Sequence, residues 1–506
     1  MTLKTIEIMD TTLRDGEQTN DVSFSSSEKY QIARILLEKV GVDRIEVASA
    51  LVSEGEKEAA TRILQWAEEH NYTDRVEILG YVDDTRSVDW IKECGGRVFN
   101  MLTKGSLKHL THQLRKTPEE HIDGIRRSAQ YAKENGFIVN AYLEDWSNGY
   151  KDSRDYVYKL IEAMSHMEID RIMIPDTLGV MYPEEVFQAI EDLRNRFPDV
   201  HFDFHAHNDY GLGTINTMEA VRAGAKAVHV TVNCLGERTG NASLAEVVAG
   251  LHDFFQIKTN VQEEHLHLAS RVVENFSGKR LADNAPIVGE DVFTQTSGIH
   301  ADGDKKAGLY ESALMPERFG RKRVYALGKM AGKASIDQNL KELGLELSDE
   351  NRKKVLDKVK SLGDKKKKVT MEDLPFIISE VLNLPVHEVV KFKHVRVKSG
   401  MDLTPSCTLI LSYKSKDYEV SGTGDGGYDA FMNAIREWGN KNSIALPLLK
   451  DYEVRIPPGG RTSALVECKI IWEKVEGKTI VTRGVDPDQT MAAVQATEKM
   501  LNLLLD

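Results

Sequence analysis

Two histidines separated by one residue, His205 and His207, stand in the segment FHAHNDYGLG, residues 204–213. Side chains alternate between the two faces of a strand, so both imidazoles of such a pair point the same way. Two imidazoles and one carboxylate make a divalent-metal site that keeps positions open for a substrate. Asp15, in TTLRDGEQ, is the preferred carboxylate. These residue types suit Zn²⁺, Mn²⁺ or Fe²⁺ better than Ca²⁺, and Mg²⁺ remains an alternative.

Arg14 stands directly before Asp15. A guanidinium is always charged and matches a carboxylate as a two-pronged donor, so arginine beside a metal predicts an anionic substrate. The cation and Arg14 together would polarise a carbonyl and stabilise a developing alkoxide or enolate. The alternative is that His205 and His207 are hydrogen-bonded structural residues that hold no metal.

The elements that must position these residues alternate regularly along the chain. Each of eight strand-like runs is followed by a longer segment with apolar residues at helical spacing, and Ser25 with Glu28 predicts a capping box at the first helix. Eight units in about 255 residues are the usual size of a (β/α)8 TIM barrel, which we predict in preference to an open doubly wound sheet. The runs are TIEIMD, DRIEVAS, RVEILGYV, RVFNMLTK, IVNAYLED, DRIMIPDT, HFDFHAHND and AVHVTVN.

A TIM barrel carries its active site at the carboxyl ends of its strands. That rule places the histidine pair and the Arg14–Asp15 pair in the barrel mouth. Polar side chains from other strand ends are expected at the same rim, namely Glu144, Asp145, Asp176, Thr177, Asn233, Glu237, Arg238 and Asn241.

Composition limits the class of protein. The chain has 506 residues, of which 41% are hydrophobic and 29% charged, which is typical of a globular protein of two to four domains. The net charge of −13 comes without a large basic block, so we expect no nucleic-acid partner. No apolar run reaches the roughly 18 residues of a membrane span, and MTLKTIEIMD is not a signal peptide. Scattered cysteines without a CxxC pair favour a reducing, cytoplasmic location and no membrane partner.

Three segments, TTLRDGEQ, HAHND and LGERTGN, follow one another in the chain. With them the chain resembles the family of 2-isopropylmalate, homocitrate and citramalate synthases, and its details most resemble the citramalate synthases. The resemblance covers essentially the whole chain. It implies a Claisen-type condensation: acetyl-CoA loses a methyl proton, the enolate attacks the ketone of a 2-oxo acid, and the thioester is hydrolysed. Pyruvate and acetyl-CoA are the implied substrates, in a pathway to isoleucine.

The resemblance also implies roles for rim residues. Asp15, His205 and His207 look like ligands of one divalent Mn, Mg or Zn ion, with Asn241 as a weaker fourth or outer group. Arg14 resembles the residue that stabilises enolate or alkoxide charge. The remaining residues are expected to contact the 2-oxo acid: Glu144 and Thr177 orient it, and Leu79, Leu102 and Tyr142 form an apolar wall around its alkyl group.

Beyond the barrel, SGIHADG (297–303) resembles the segment that carries a catalytic histidine, here His300. The ordinary histidine pKa, ~6.5, suits proton abstraction near neutral pH. Tyr310 resembles a tyrosine that reaches into the neighbouring subunit's active site, so a homodimer is implied. We divide the chain into a barrel (1–262), a linker with the catalytic loop (263–325), a helical linker (326–390) and a regulatory domain (391–506).

The last domain contains an internal repeat, each copy with three strands and a helix, which predicts an α+β domain. GTGDGG (422–427) fits G-x-G-x-x-G, but the strands before it form a meander and not a βαβ unit, which argues against dinucleotide binding. The resemblance implies feedback by an end-product amino acid, with isoleucine expected. Its pocket would be lined by Tyr428, Leu449, Tyr452, Ile456, Thr462, Val466, Pro487 and Gln489.

Three other functions remain open from the sequence. Within the family, the alternative is 2-isopropylmalate synthase, which uses 2-oxoisovalerate in leucine synthesis. A site of two histidines and one carboxylate also fits a non-haem iron oxygenase. The third alternative is a non-catalytic amino-acid sensor built on the C-terminal repeat.

Overall fold

The computed structural model describes residues 5–296, 309, 312–343, 345–364, 369, 371–382, 389–455, 466–473 and 479–505. These residues fall into two compact units, one within 1–294 and 311–324 and the other within 295–310 and 325–506. In this part of the chain, we find no helix whose length and apolar composition would let it span a bilayer.

The first unit contains a closed barrel of eight parallel strands in sequential order, so the predicted (β/α)8 barrel is confirmed. The barrel closes where the first strand pairs with the eighth. The strands are β1 (Glu7–Asp10), β2 (Arg44–Ser49), β3 (Val76–Tyr81), β4 (Val98–Lys104), β5 (Ile138–Glu144), β6 (Arg171–Asp176), β7 (Phe202–Ala206) and β8 (Ala227–Val230).

Helices follow the strands and cover the barrel. Ser25 and Glu28 form the predicted capping box, and the first helix continues as a π-helix over Ile35–Val40 to Gly41. The helices are α1 (Ser26–Arg34), α2 (Glu54–Glu69), α3 (Arg86–Glu93), α4 (Leu107–His109), α5 (Pro118–Glu134), α6 (Trp146–Asp152), α7 (Arg154–Ser165), α8 (Pro183–Arg196), α9 (Gly213–Ala223), α10 (Leu244–Phe255) and α11 (Leu266–Ser277).

The inside of the barrel is polar, whereas the residues between strands and helices form the main hydrophobic core. Asn100 Nδ2 lies 2.7 Å from Glu46 Oε1 and 2.8 Å from Glu77 Oε2. Arg44 donates to Glu77 at 2.7 Å and to Asp203 Oδ2 at 2.5 Å. Because buried charges are costly unless they are paired, this network fixes the side chains beneath the barrel mouth.

The second unit has two parts. Three helices, α12 (Lys333–Glu342), α13 (Asp349–Asp364) and α14 (Leu374–Leu382), pack around a small core of their own. Two copies of a three-stranded antiparallel sheet with a helix follow and share one core, as the sequence repeat predicts. The first copy is β11 (Val390–Gly400), β12 (Leu403–Tyr413), β13 (Lys416–Thr423) and α15 (Gly427–Lys441), and the second is β14 (Leu448–Arg455), β15 (Val466–Glu473), β16 (Thr479–Asp486) and α16 (Gln489–Leu505). Earlier in the chain, two short strands, β9 (Thr294–Gln295) and β10 (Val324–Tyr325), span the boundaries between the two units.

A glycine in the third strand of each copy explains part of the GTGDGG motif. A Cβ on Gly422 would lie 2.5 Å from the carbonyl oxygen of Ala430, and one on Gly484 would lie 1.8 Å from that of Ala492. In both copies, the absence of a side chain at this glycine lets the third strand pack closely against the helix that follows it. Gly422 is needed for this close packing, and β13 is antiparallel to β12, so the structure agrees with the sequence argument against a dinucleotide site.

Candidate functional site

A cavity of about 180 Å³ lies at the carboxyl ends of the barrel strands. Of the rim residues predicted to contact the cation or the 2-oxo acid, all but Asn241 line it. The lining residues are Arg14, Asp15, Gln18, Leu79, Leu102, Tyr142, Glu144, Pro175, Thr177, His205, His207 and Glu237.

Asp15, His205 and His207 are buried and converge on one point. One ligand atom from each lies within 4.8 Å of the others, and His205 Nε2 is 3.7 Å from Asp15 Oδ2. The two imidazole rings have their centroids 5.0 Å apart. β7 ends at Ala206, one residue before His207, which instead forms an isolated bridge with Asn241. The strand is therefore shorter than the sequence predicted, yet both imidazoles face the same cavity.

A tight turn after β1 presents Arg14 and Asp15. The backbone N–H groups of both residues donate to the carbonyl of Thr11, at 3.1 and 2.8 Å. Lys29, on α1, supports this turn from behind, because its buried ammonium donates to the carbonyl of Leu13 at 3.1 Å. A buried cation therefore holds the backbone directly before Arg14.

The loop after β8 places Asn241 behind Asp15. Asn241 Nδ2 donates to Asp15 Oδ1 at 3.0 Å. Gly236 makes room for this amide, since a Cβ there would lie 2.3 Å from Asn241 Nδ2. Asn233 and Arg238 in the same loop have φ of +59°. Left-handed non-glycine residues are uncommon and strained, and they concentrate at functional sites.

Several buried atoms of the site lack hydrogen-bond partners within the described residues. They are Nδ1 of His205, Nδ1 of His207 and Oδ1 of Asn241. Because buried polar atoms are nearly always partnered, the hydrogen bonding of this cluster is incomplete without a further group. Imidazole nitrogens with carboxylate and amide oxygens are a donor set that fits a divalent cation.

The protonation states also fit a cation. Burial lowers the pKa of His205 well below its ordinary value, and it lowers the pKa of His207, although Asp15 acts in the opposite sense. Burial on its own would raise the pKa of Asp15, but Arg14 and the two histidines hold it below its usual range. The result is an ionised carboxylate beside two neutral imidazoles, the forms in which these groups bind metals.

Arg14 is fixed by three neighbours. Its Nε donates to Glu46, its Nη1 donates to Asp15 Oδ2 at 2.8 Å, and its Nη2 lies 3.4 Å from the Tyr142 hydroxyl. The carboxylates raise the pKa of Arg14 above its ordinary value in spite of burial. Its permanent charge is therefore held at the edge of the cavity, where it can stabilise a negative oxygen.

A small apolar cluster lies at the cavity wall, next to the polar barrel interior. Leu79 and Tyr142 are buried in it, Leu102 packs against it, and Met9 and Met173 complete it. These five side chains come from five strands, and all face inward. The three residues predicted to form the wall around the alkyl group of the oxo acid are thus neighbours.

Glu144 ends β5, two residues beyond Tyr142, and Thr177 directly follows β6, and both line the cavity. Lys104 forms an ion pair with Glu144. Thr177 Oγ1 accepts a hydrogen bond from the backbone N–H of Asp145 at 2.9 Å, which leaves its own proton free to donate. Both side chains therefore have defined orientations.

Sequence reasoning missed several residues of the site. Glu46, which holds Arg14, and His229, which contacts Tyr142, both lie inside the barrel. The available signal was a polar residue at an inward position of an otherwise apolar strand, as in RIEVAS and AVHV. Lys104 and Lys29 gave no such signal, because one ends a strand and the other lies on a charged helix.

His300, Tyr310, Ile456 and Thr462 lie outside the described residues. The other residues expected around an amino-acid effector are described. The rings of Tyr428 and Tyr452 are 5.1 Å apart, and Tyr428 is hydrogen-bonded to Thr497 at 2.8 Å. Of the rest, Leu449 is exposed and Val466 is buried, both on strands, while Pro487 lies two residues before α16 and Gln489 begins that helix.

Comparison with protein families divides the chain into three segments. Residues 5–273 match the HMGL-like family, residues 287–367 match a homocitrate synthase post-HMGL domain-like family, and residues 368–505 match the LeuA allosteric (dimerisation) domain. The first segment contains the barrel and all of the cavity residues.

Relatives align over nearly the whole chain. A protein named (R)-citramalate synthase from Methanocaldococcus jannaschii is 36% identical over 99% of this chain and 100% of its own. A probable 2-isopropylmalate synthase from Methanopyrus kandleri is 37% identical over 99% of this chain and 98% of its own. The crystal structure of the Bacillus subtilis HMG-CoA lyase, 23% identical, superposes with a TM-score of 0.50 over 57% of this chain and 98% of the lyase, which shows a shared barrel fold.

Proposed function

The chain belongs to the HMGL-like family and is one of its acyl-CoA-dependent acyltransferases, and we propose that it condenses acetyl-CoA with pyruvate to give (R)-citramalate and CoA. The relatives support a synthase of this family, but they carry the names of citramalate and 2-isopropylmalate synthases at similar identity. The choice of 2-oxo acid therefore rests on the cavity.

The observation that carries the choice is the cluster of Leu79, Leu102 and Tyr142 at the cavity wall. Leu79 and Tyr142 are 6% and 3% exposed, so a larger substrate can displace them only against the surrounding packing. A methyl group fits beside such a wall, whereas an isopropyl group has to displace it. Overpacking of this kind costs ~1–3 kcal/mol, and each pocket methylene changes discrimination by ~10- to 200-fold.

The residues divide the chemistry between them. Asp15, His205 and His207 would hold the divalent cation, with Asn241 behind them. When bound, the cation supplies a Lewis acid for the oxygens of the 2-oxo acid. Arg14 stabilises the negative oxygen that develops on condensation, and Glu144 and Thr177 orient the oxo acid.

We assign the removal of the acetyl-CoA methyl proton to His300 and a contribution from a second subunit to Tyr310. Both assignments rest on the sequence resemblance, and the match to a LeuA dimerisation domain supports the homodimer that the second one requires. We also propose that the domains meet at residues 262, 325 and 390.

We assign feedback regulation to the C-terminal repeats, with isoleucine as the effector. The match of residues 368–505 to an allosteric domain supports this assignment. The proposed pocket includes the adjacent rings of Tyr428 and Tyr452.

The test of the proposed reaction is product identification. Purified protein is incubated with acetyl-CoA, pyruvate and Mn²⁺, Mg²⁺ or Zn²⁺, and CoA and the organic acid are measured together. We expect equal amounts of CoA and (R)-citramalate, and none after complete chelation. CoA release without citramalate would refute the proposal, as would oxygen consumption dependent on Fe²⁺.

A further inference from the structure

The hydroxyl of Tyr142 is anchored inside the barrel. Its oxygen lies 3.1 Å from Nδ1 of His229, and 3.4 Å from both Glu46 Oε2 and Arg14 Nη2. His229 is the nearest of these partners and lies at an inward position of β8, with 1% of its surface exposed. The tyrosine that closes the proposed oxo-acid pocket is therefore held at both ends, by its backbone in β5 and by its hydroxyl.

His229 is itself held by a carboxylate. Its Nε2 lies 3.2 Å from Asp203 Oδ2, which also accepts from Arg44 at 2.5 Å. Asp203 forms a buried ion pair with Arg44 through this same oxygen, so its carboxylate carries the charge that the guanidinium requires. An ionised carboxylate only accepts, so Nε2 of His229 is the donor, and in the neutral ring Nδ1 is left to accept the Tyr142 proton.

We propose that His229 is a positioning residue for the selection of the 2-oxo acid, which it achieves by fixing the Tyr142 ring through its hydroxyl. The inference rests on the proposed reaction and adds to it a residue that does not touch the substrate. His229 does not line the cavity. Its ring packs edge-on against Tyr142 and against His205, with centroids 5.5 and 5.6 Å apart, and the proposed effect on selection runs through the hydrogen bond to Tyr142.

The physical reason lies in the stiffness of the wall. Leu79 and Leu102 can yield to a larger substrate by changing rotamer, because nothing but packing holds their tips. Tyr142 has a ring edge-on to His205, with centroids 6.5 Å apart, and edge-on to His229, with centroids 5.5 Å apart. Without the hydroxyl contact the ring could tilt away from the cavity, and the pocket would accept a longer alkyl group. The anchored Tyr142 ring is thus the part of the pocket wall that limits the length of the alkyl group.

Two substitutions at His229 test its two hydrogen bonds, to Tyr142 and to Asp203, one at a time. In His229→Gln the amide nitrogen stands where Nε2 was and keeps the contact with Asp203, but the acceptor for Tyr142 is lost. In His229→Asn the amide oxygen stands near the Nδ1 position and keeps that acceptor, but the contact with Asp203 is lost. Tyr142→Phe removes the hydroxyl directly. Steady-state kinetics with pyruvate and 2-oxobutyrate gives the ratio of kcat/KM for each variant.

We expect His229→Gln and Tyr142→Phe each to shift the ratio roughly tenfold toward 2-oxobutyrate, the size of effect that one methylene exerts. KM for acetyl-CoA should stay within about twofold of wild type, and His229→Asn should shift the ratio by less than about threefold. The double variant Tyr142→Phe/His229→Gln should shift the ratio no further than either single variant, because both remove one hydrogen bond.

His201→Gln is the matched control. His201 is the other histidine beside Asp203, 3.1 Å from its Oδ1, and it does not line the cavity. It should leave the ratio unchanged. An unchanged ratio in folded His229→Gln, or in Tyr142→Phe if the histidine variant fails to fold, overturns the inference, as does an additive double variant. Failure of the proposed function gives a different result, because the wild-type protein would then prefer 2-oxoisovalerate to pyruvate or would turn over neither pyruvate nor 2-oxobutyrate.

Discussion

Asn241 donates from its side-chain amide to Asp15 Oδ1 over 3.0 Å, although the two residues are 226 positions apart in the chain. The contact orients the carboxylate that stands nearest to His205 and leaves Oδ1 of Asn241 facing no described partner. The loops after the first and the last barrel strand thus meet at the proposed metal site.

The first prediction is that this cluster binds the metal that the reaction needs. Asp15→Ala or His205→Ala should remove both the bound metal and activity while the fold persists, and Asn241→Ala should weaken metal binding about 10- to 100-fold. Metal content, titration calorimetry and circular dichroism measure these effects. His252→Ala, at an exposed histidine of α10, is the control and should bind metal normally. Full activity after exhaustive chelation, with no metal found, would contradict the prediction.

The second prediction concerns Lys29, which is 1% exposed and lies 2.6 Å from Glu17 and 2.5 Å from Glu56. Lys29→Met should lower the free energy of unfolding by about 3 kcal/mol, because it leaves two partly buried carboxylates without their cation. It should also lower kcat, because the carbonyl before Arg14 loses its donor. Denaturant unfolding and steady-state kinetics measure the two effects.

Lys39→Met is the matched control for this substitution, since Lys39 is exposed one turn after the end of α1. It should change stability by no more than about 0.5 kcal/mol. Equal behaviour of the two variants would show that the buried ammonium does not support the turn.

The third prediction concerns pH and Asp10, at the end of β1. Burial raises the pKa of Asp10 to about 7 from 3.8, although Thr12 opposes this by donating to Oδ1 at 2.9 Å. The folded protein therefore holds this proton more tightly than the unfolded chain. The stability that Asp10 contributes is complete below about pH 4 and is lost as the pH rises through about 7.

Asp10→Asn keeps the acceptor for Thr12 and cannot ionise. Its stability relative to wild type should rise between pH 4 and 7, with a gain of about 2–4 kcal/mol at pH 8. Thermal unfolding across this pH range measures the difference. A difference that stays flat with pH would mean that Asp10 does not titrate in this range.

Some features of the barrel could be predicted from the sequence, whereas the pairing of its interior polar residues could not. Strand spacing and capping predicted the barrel, and the alternation of faces predicted that His205 and His207 share the mouth with Asp15. The partners Glu46, His229 and Asp203 could not be paired from the sequence. Which of them meet depends on the register between strands that are far apart in the chain, and that register is set by closure of the whole barrel.

The fourth prediction concerns regulation. Isoleucine should inhibit the full chain, and deletion of the residues after 390 should abolish the inhibition. In the full chain, Tyr452→Ala should raise the half-inhibiting concentration about tenfold, equal to 1.4 kcal/mol of lost binding energy. CoA release at graded amino-acid concentrations measures this. Inhibition by leucine alone would assign the enzyme to leucine synthesis instead.

One measurement tests the choice of the 2-oxo acid most directly. CoA release by the wild-type protein is followed with pyruvate, 2-oxobutyrate and 2-oxoisovalerate at saturating acetyl-CoA and a fixed metal, and kcat/KM is compared. The wall formed by Leu79, Leu102 and Tyr142 predicts pyruvate first, 2-oxobutyrate second and 2-oxoisovalerate poorest. A higher kcat/KM for 2-oxoisovalerate than for pyruvate would contradict the account and identify a 2-isopropylmalate synthase.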